Sequence, residues 1–163
     1  MIETLKQKYK VIYADPPWYF KSYSKKGEGR NATQHYDCMS LDDICNLPVL
    51  DVADRDCVLL MWVTDPCLLD AFKVIQSWGF TYKTVGFTWA KTNQKSLGFF
   101  TGMGYWTRSN PEMCLLATRG KPKRLNKSTR QLVVSERREH SRKPDEMYGC
   151  LLYTSPSPRD GHQ

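Results

Sequence analysis

The residues best equipped for chemistry are Asp15-Pro16-Pro17-Trp18, directly after the apolar run Lys10-Val-Ile-Tyr-Ala14. That run reads as a buried strand, so the tetrapeptide sits where a strand ends. In open α/β sheets, ligands bind in the crevice outside the carboxyl ends of the strands. Asp15 supplies a charged acceptor. Pro16 lacks an N–H, so its main chain offers only a carbonyl acceptor. Trp18 offers a flat face. Two acceptors beside a π-face suit a planar group bearing an amine, such as the N6 amine of adenine. Acceptors that hold both amine hydrogens would draw the nitrogen lone pair out of ring conjugation and free it to attack a methyl donor. Taken alone, Asp-Pro-Pro is equally a turn sequence, and the Trp after it equally a core residue.

Other segments bear on that choice. They are His35-Tyr36-Asp-Cys-Met-Ser40, Leu60-Met-Trp-Val-Thr64, Trp78-Gly79-Phe80, Trp89-Ala-Lys91-Thr-Asn-Gln94, Gly104-Tyr-Trp-Thr-Arg-Ser-Asn-Pro-Glu112 and His140-Ser-Arg-Lys-Pro-Asp-Glu-Met-Tyr148. With the tetrapeptide, and in this order, they resemble the adenine-N6 methyltransferases related to the catalytic subunit of the mRNA adenosine methyltransferase. The resemblance runs from Lys10 to Tyr148, and the tract from Tyr105 to Glu112 looks more like the bacterial and phage branch. It implies S-adenosylmethionine as cofactor and transfer of its methyl group to adenine N6 in nucleic acid, DNA first and RNA as the alternative. It also implies that Asp15, Pro16, Pro17 and Trp18 form the catalytic motif. Asp15 and Lys91 would contact the donor, and Trp18, Tyr36, Lys91, Asn93, Arg108 and Asn110 the substrate. Trp18 would stack on the base, an interaction worth roughly 1–3 kcal/mol. A homo- or heterodimer and a bacterial or phage-infected cytoplasm are compatible with that branch.

The elements that must position these residues follow from the pattern. Strands are expected at Lys10–Ala14, Cys57–Val63, Thr84–Ala90, Met113–Thr118 and Gln131–Ser135. Tyr19–Gln34 and Lys95–Gly104 read as loops. Ser40 caps a short helix that carries Asp42 and Asp43 in its first turn. Asp65-Pro66 reads as an N-cap with Pro at N1, and Gly79 ends that helix. Leu68, Leu69, Phe72, Val74 and Ile75 would face the core. Pro144 opens another helix. The fold class is α/β, a Rossmann-like, mainly parallel methyltransferase sheet lacking the C-terminal elements of the family. Asp15 and Lys91 each end a strand, so in parallel strands they reach one sheet edge. Asp15 beside Lys91 should then stay ionised.

After Met147-Tyr148 the family pattern stops. Cys150-Leu-Leu-Tyr-Thr-Ser-Pro-Ser-Pro-Arg-Asp160 resembles an in-frame translation of a transposon-end sequencing adaptor. The expected division is an incomplete methyltransferase domain at 1–149 and a non-native tail at 150–163. On that reading the chain as it stands is expected to be inactive.

Composition narrows the classes further. With 163 residues, 40% of them hydrophobic, one domain with a real core is expected. No apolar stretch is long enough to span a bilayer and no signal peptide is evident, so no membrane role is expected. Six Cys without a Cys-x-x-Cys pair argue for reduced thiols in a cytoplasm. Three scattered His argue against a metal site. No Gly-x-Gly-x-x-Gly follows a strand, which disfavours NAD. The net charge is +7, and Arg119–Lys143 alone holds ten Lys and Arg against two Glu. Lys21, Lys25, Lys26 and Arg30 form a second cluster. Both are expected in loops next to the catalytic motifs, as phosphate contacts. Two other functions compete. Protein glutamine methylation uses a similar motif with Asn for Asp and Tyr for Trp, and Asp15, Trp18 and the basic segment disfavour it. A non-catalytic nucleic-acid-binding subunit would have lost the Asp that this chain keeps.

Overall fold

The computed structural model describes residues 7–19, 38–139 and 142–147. Five strands form one sheet: β1 (Tyr9–Ala14), β2 (Ala53–Val63), β3 (Thr81–Thr92), β4 (Glu112–Arg119) and β5 (Leu132–Glu136). All five expected strands are present, and β2 and β3 are longer than their apolar runs indicated. Helices α1 (Leu41–Cys45) and α2 (Leu68–Ser77) lie between β1 and β3. The spatial order is β1-β2-β4-β3-β5. The β1/β2 and β3/β5 ladders are parallel, and β4 runs antiparallel to both of its neighbours, β2 and β3. Four strands therefore share one direction, and β4 is inserted against them. This is the Rossmann-like α/β sheet expected from the strand pattern, with fewer helices than strict alternation would give.

The β2 run Cys57–Val63 is nearly continuously buried, as a central strand covered on both faces must be. On one face Leu59, Met61 and Val63 pack with Ala71, Val74 and Ile75 of α2, Ile44 of α1, and Trp78. On the other face Leu60, Trp62, Phe87, Trp89, Cys114, Val133 and Met147 form a second cluster. Trp62 and Trp89 meet edge to face at 6.3 Å, and each indole N–H finds an oxygen, Tyr13 Oη at 2.6 Å and the Ser135 carbonyl at 3.0 Å.

Ser40 caps α1, its Oγ accepting from the Asp43 N–H at 3.2 Å. The start of α2 differs from expectation. Asp65–Cys67 is a single 3-10 turn with Thr64 at its N-cap position but no side-chain capping bond, and the α-helix proper begins at Leu68. This rotates the apolar stripe, so Ala71 takes a core position and Leu69 is left 78% exposed. Gly79 ends the helix in the left-handed region, φ 80°, as expected.

The five described cysteines, Cys38, Cys45, Cys57, Cys67 and Cys114, are free thiols. No described helix is long and apolar enough to cross a membrane, and no described cluster of His, Cys, Asp and Glu would hold a metal. Tyr36, the cluster from Lys21 to Arg30 and the segment 150–163 lie outside the described residues. The helix expected from Pro144 shows its first turn, with the Met147 N–H on the Pro144 carbonyl at 3.2 Å.

Candidate active site

The carboxyl ends of β1, β2, β3 and β5 meet at one edge of the sheet. Because β4 is reversed, its amino end arrives there too, carrying Glu112. Asp15 follows β1 and Lys91 lies in the last turn of β3, so both reach this edge, as their places after apolar runs required.

They do not meet directly. Lys91 Nζ pairs with Glu112 Oε2 at 2.8 Å, Glu112 Oε1 accepts from Lys143 Nζ at 2.8 Å, and Lys143 Nζ lies 3.6 Å from Asp15 Oδ2. The result is an alternating chain of four charges, Asp15–Lys143–Glu112–Lys91. The two ammoniums also lie over the buried indoles, Lys91 Nζ 5.2 Å from the centre of Trp89 and Lys143 Nζ 5.4 Å from that of Trp62. Glu112 and Lys143 are the members the site assignment from sequence missed. Glu112 could be placed only once β4 was known to be antiparallel. Lys143 was grouped with the phosphate-binding basic segment.

The inner three charges are mostly buried, while Asp15 keeps 45% of its side chain open. Burial pushes the Asp15 carboxyl above its ordinary value, against the opposing pull of Lys143, and the Glu112 charge adds to the rise. The expectation that a cation would lower it is therefore corrected. Its cation is Lys143 rather than Lys91, and loss of hydration outweighs that attraction. Glu112 behaves oppositely. Burial alone would raise it, but Lys143 and Lys91 together hold it below the usual glutamate range.

The motif residues around Asp15 are largely committed to the fold. The Pro16 carbonyl accepts the Trp18 N–H at 2.9 Å and keeps one lone pair open; the Pro17 carbonyl accepts the Met39 N–H at 3.1 Å. Trp18 is 6% exposed, donates Nε1–H to the Trp62 carbonyl at 2.9 Å and belongs to the first core cluster. Stacking of Trp18 on a base is thus not what the structure displays. The indole gains more from burial beside Met61 and Val63 than a rim position would give it, and it anchors the turn that holds Asp15.

Asn110 also acts on the backbone. Its Oδ1 accepts the Lys91 N–H at 3.0 Å, and its Nδ2 donates to the Lys91 carbonyl at 2.9 Å and to the Phe100 carbonyl. Both amide hydrogens are used, so Asn110 is a clamp that fixes Lys91 at the strand end. Asn110→Ala is expected to leave these groups unpaired and cost about 1–3 kcal/mol. Chemical denaturation measures this, and a change under 0.5 kcal/mol would contradict the clamp. Asn93 closes the loop after β3, with Nδ2 donating to the Leu97 and Phe99 carbonyls at 3.4 Å, and Arg108 is exposed on the following stretch.

A cleft of about 620 Å³ opens beside the chain of charges, walled by Thr64, Asp65, Lys91, Tyr105, Asn110 and Glu112 among others. That volume suits a small-molecule site. The basic segment is placed differently from expectation. β4 carries the chain away from this edge, so Arg119 pairs opposite Cys57 and the residues after it lie at the far side of the sheet. There Arg124 and Lys127 border a second groove, of about 460 Å³, floored by Val58, Leu60, Phe87 and Leu116. Only the later members, Arg137, Arg138, Arg142 and Lys143, return with β5 to the carboxyl edge that carries Asp15.

Comparison with known proteins matches this arrangement to one family. The MT-A70 family profile covers residues 9–155. The Type II methyltransferase M.MunI of Mycoplasma sp. is 35% identical over 156 residues, covering 85% of this chain and 64% of that protein. The MT-A70-like N(6)-adenosine-methyltransferase of Drosophila melanogaster is 32% identical over 158 residues, and the human N(6)-adenosine-methyltransferase catalytic subunit METTL3 is 31% identical over 156. The chain spans about a quarter of the length of these two, covering 24% of each. The profile spans most of the chain, and the chain belongs to the MT-A70 family of methyltransferases.

Proposed function

We propose that the protein transfers a methyl group from S-adenosylmethionine to the N6 amine of adenine in nucleic acid, with DNA the preferred substrate. The observation that carries this reading is Asp15: a half-exposed carboxylate at the carboxyl end of β1, held by Lys143 and directly before Pro16, whose carbonyl accepts only the Trp18 N–H among the bonds observed in the described residues. Two acceptors on adjacent residues can take both hydrogens of one amine. The donor set suits S-adenosylmethionine, since Asp15 and Asp65 offer anionic oxygens to its positive groups and the adjoining cleft has room for a small molecule. When bound, the donor supplies an electrophilic methyl on a sulfonium. The chain's own residues then position and desolvate. Asp15 and Pro16 orient the amine, Lys91 and Glu112 fix the cleft wall, and Lys143 holds the Asp15 carboxylate toward the opening.

DNA is preferred over RNA because the Type II methyltransferase matches over the larger share of its length. A methyl-transfer assay of the gene's full product on matched DNA and RNA oligonucleotides tests the reading. Label on adenine N6 of DNA is the expected result, label on RNA alone would reassign the substrate, and label on neither would overturn it.

The pH dependence follows from Asp15. Only the carboxylate accepts hydrogen bonds without donating, and its proton affinity is raised in the folded protein. The acid limb of kcat/KM, which reports the free enzyme, is therefore expected above the pH of an ordinary aspartate titration, with activity rising through it. A limb at or below that pH, or one unchanged in Lys143→Met, would contradict the assignment.

A further inference from the structure

Trp18, Trp62, Trp78 and Trp89 are buried, but Trp106 is 87% exposed. It lies on the loop between β3 and β4, which also presents Tyr105, Met103, Phe99 and Leu97 to solvent. This loop is tightly built. The Gly102 N–H donates to the Ser109 carbonyl at 2.7 Å, Ser109 Oγ donates to the Met103 carbonyl at 2.6 Å, and Asn110 pins the return to β4. A side chain at Gly104 would collide with the Thr107 carbonyl oxygen, so the turn closes on itself. Trp106 itself holds φ at 71°, a left-handed conformation that costs a bulky residue of order 1–3 kcal/mol. Tyr105 and Trp106 meet edge to face at 6.3 Å. A rigid loop thus spends strain to hold an indole in water. Met103, Gly104 and Tyr105, immediately before it, wall the candidate cleft, and Arg108 follows two residues later.

We propose that Trp106 is the platform on which a base flanking the target adenine of a DNA strand stacks while the target enters the cleft. The inference rests on the nucleic-acid reading above and assigns it a contact that Trp18, being buried, does not supply. An exposed π-face, a fixed backbone, adjoining cationic charge and continuity with the cleft are what a single-strand stacking site requires. Stacking also compensates the cost of unpairing the target.

Because the other four indoles are buried, Trp106 dominates the fluorescence that neutral acrylamide can quench. Titration with a labelled single-stranded adenine-containing DNA oligonucleotide, followed by both anisotropy and tryptophan emission, gives two readouts. The expected result is quenched emission and acrylamide protection on binding. Trp106→Ala should weaken binding about 5- to 150-fold, and Trp106→Phe should retain most of the affinity. An abasic residue beside the target should weaken wild-type binding by a similar factor and leave Trp106→Ala unaffected. Binding by anisotropy with no change in emission, or with wild-type affinity in Trp106→Ala, would overturn the stacking role and leave the nucleic-acid reading standing. Absence of any binding would overturn both. Quenching by the matched RNA alone would overturn the assignment to DNA. A shift of oligomeric state in Trp106→Ala, with oligonucleotide affinity unchanged, would make the loop a protein contact and overturn the proposal.

Discussion

Asp15→Ala in the gene's full product is expected to lower kcat by about a hundred-fold or more while oligonucleotide affinity stays within about threefold. The size follows from what is lost. A charged acceptor aimed at the reacting amine acts where charge develops, and removal of one such group costs on the order of 10²–10³ in rate. The affinity is expected to be spared because the proposed base contact lies on the loop around Trp106, whose backbone is held without the Asp15 carboxylate. Folding should survive, since Asp15 is half exposed and the turn around it is held by Trp18, whose N–H bond to Trp62 does not involve the carboxylate. Asp15→Asn separates the two properties of the side chain, keeping its size and one acceptor and removing its charge. Single-turnover kinetics on both variants, with melting curves as control, decides. Wild-type turnover in Asp15→Ala would remove Asp15 from the chemistry.

The largest effect on stability is expected at Glu112. Its carboxylate separates two mostly buried ammoniums, each at 2.8 Å. Glu112→Ala leaves Lys91 and Lys143 facing each other without an anion between them. Removing one partner from such a buried arrangement costs about 3–5 kcal/mol, which lowers Tm by about 6–20 °C at this chain length. The sign of the pH dependence is fixed by the direction of the shift. Glu112 is held below its unfolded value, so the unfolded state binds more protons as pH falls. Its contribution is complete above the unfolded glutamate value and is lost as pH falls through the folded one. Asp15 opposes it, since a raised carboxylate makes the folded state the better proton acceptor, and its contribution shrinks as pH rises. Wild type should therefore lose stability in acid more steeply than Glu112→Ala does. Parallel pH profiles would show that the Glu112 pairs contribute nothing. If the single variant does not fold, the triple variant Lys91→Met, Glu112→Leu, Lys143→Met should fold, since the one charge it leaves unpaired, Asp15, has 45% of its side chain open to water.

What was legible in the sequence was what local pattern controls. Each strand carried its own apolar run, and Ser40 and Gly79 marked helix ends through cap chemistry that acts over a few residues, whereas Asp65-Pro66 opened a 3-10 turn ahead of the helix itself. Asp15 and Lys91 could be put at one edge because each directly follows such a run. The direction of β4 could not be read, because Met113–Thr118 is equally apolar whichever way it points. Glu112 was hidden with it, since its position depends on that direction. The same reversal carried Arg119–Arg130 away from the edge where their charge had suggested they belong. Trp18 misled for a different reason. An indole after a Pro-Pro turn has the same identity whether it faces a ligand or the core, and only the position of the Trp62 carbonyl decides between them.

The order in which the chain is made gives the row of charges a further meaning. Glu112 follows Asp15 by 97 residues in the chain, and Lys143 follows Glu112 by 31. At about 5–20 residues per second, seconds pass between synthesis of Glu112 and synthesis of Lys143. Without Lys143, Asp15 and Glu112 share no cation, and without Met147 the second indole cluster is incomplete. The arrival of one lysine neutralises the edge and brings Met147 into the core four residues later. The charged edge and the core cluster behind it are thus completed together, by one short segment from Lys143 to Met147.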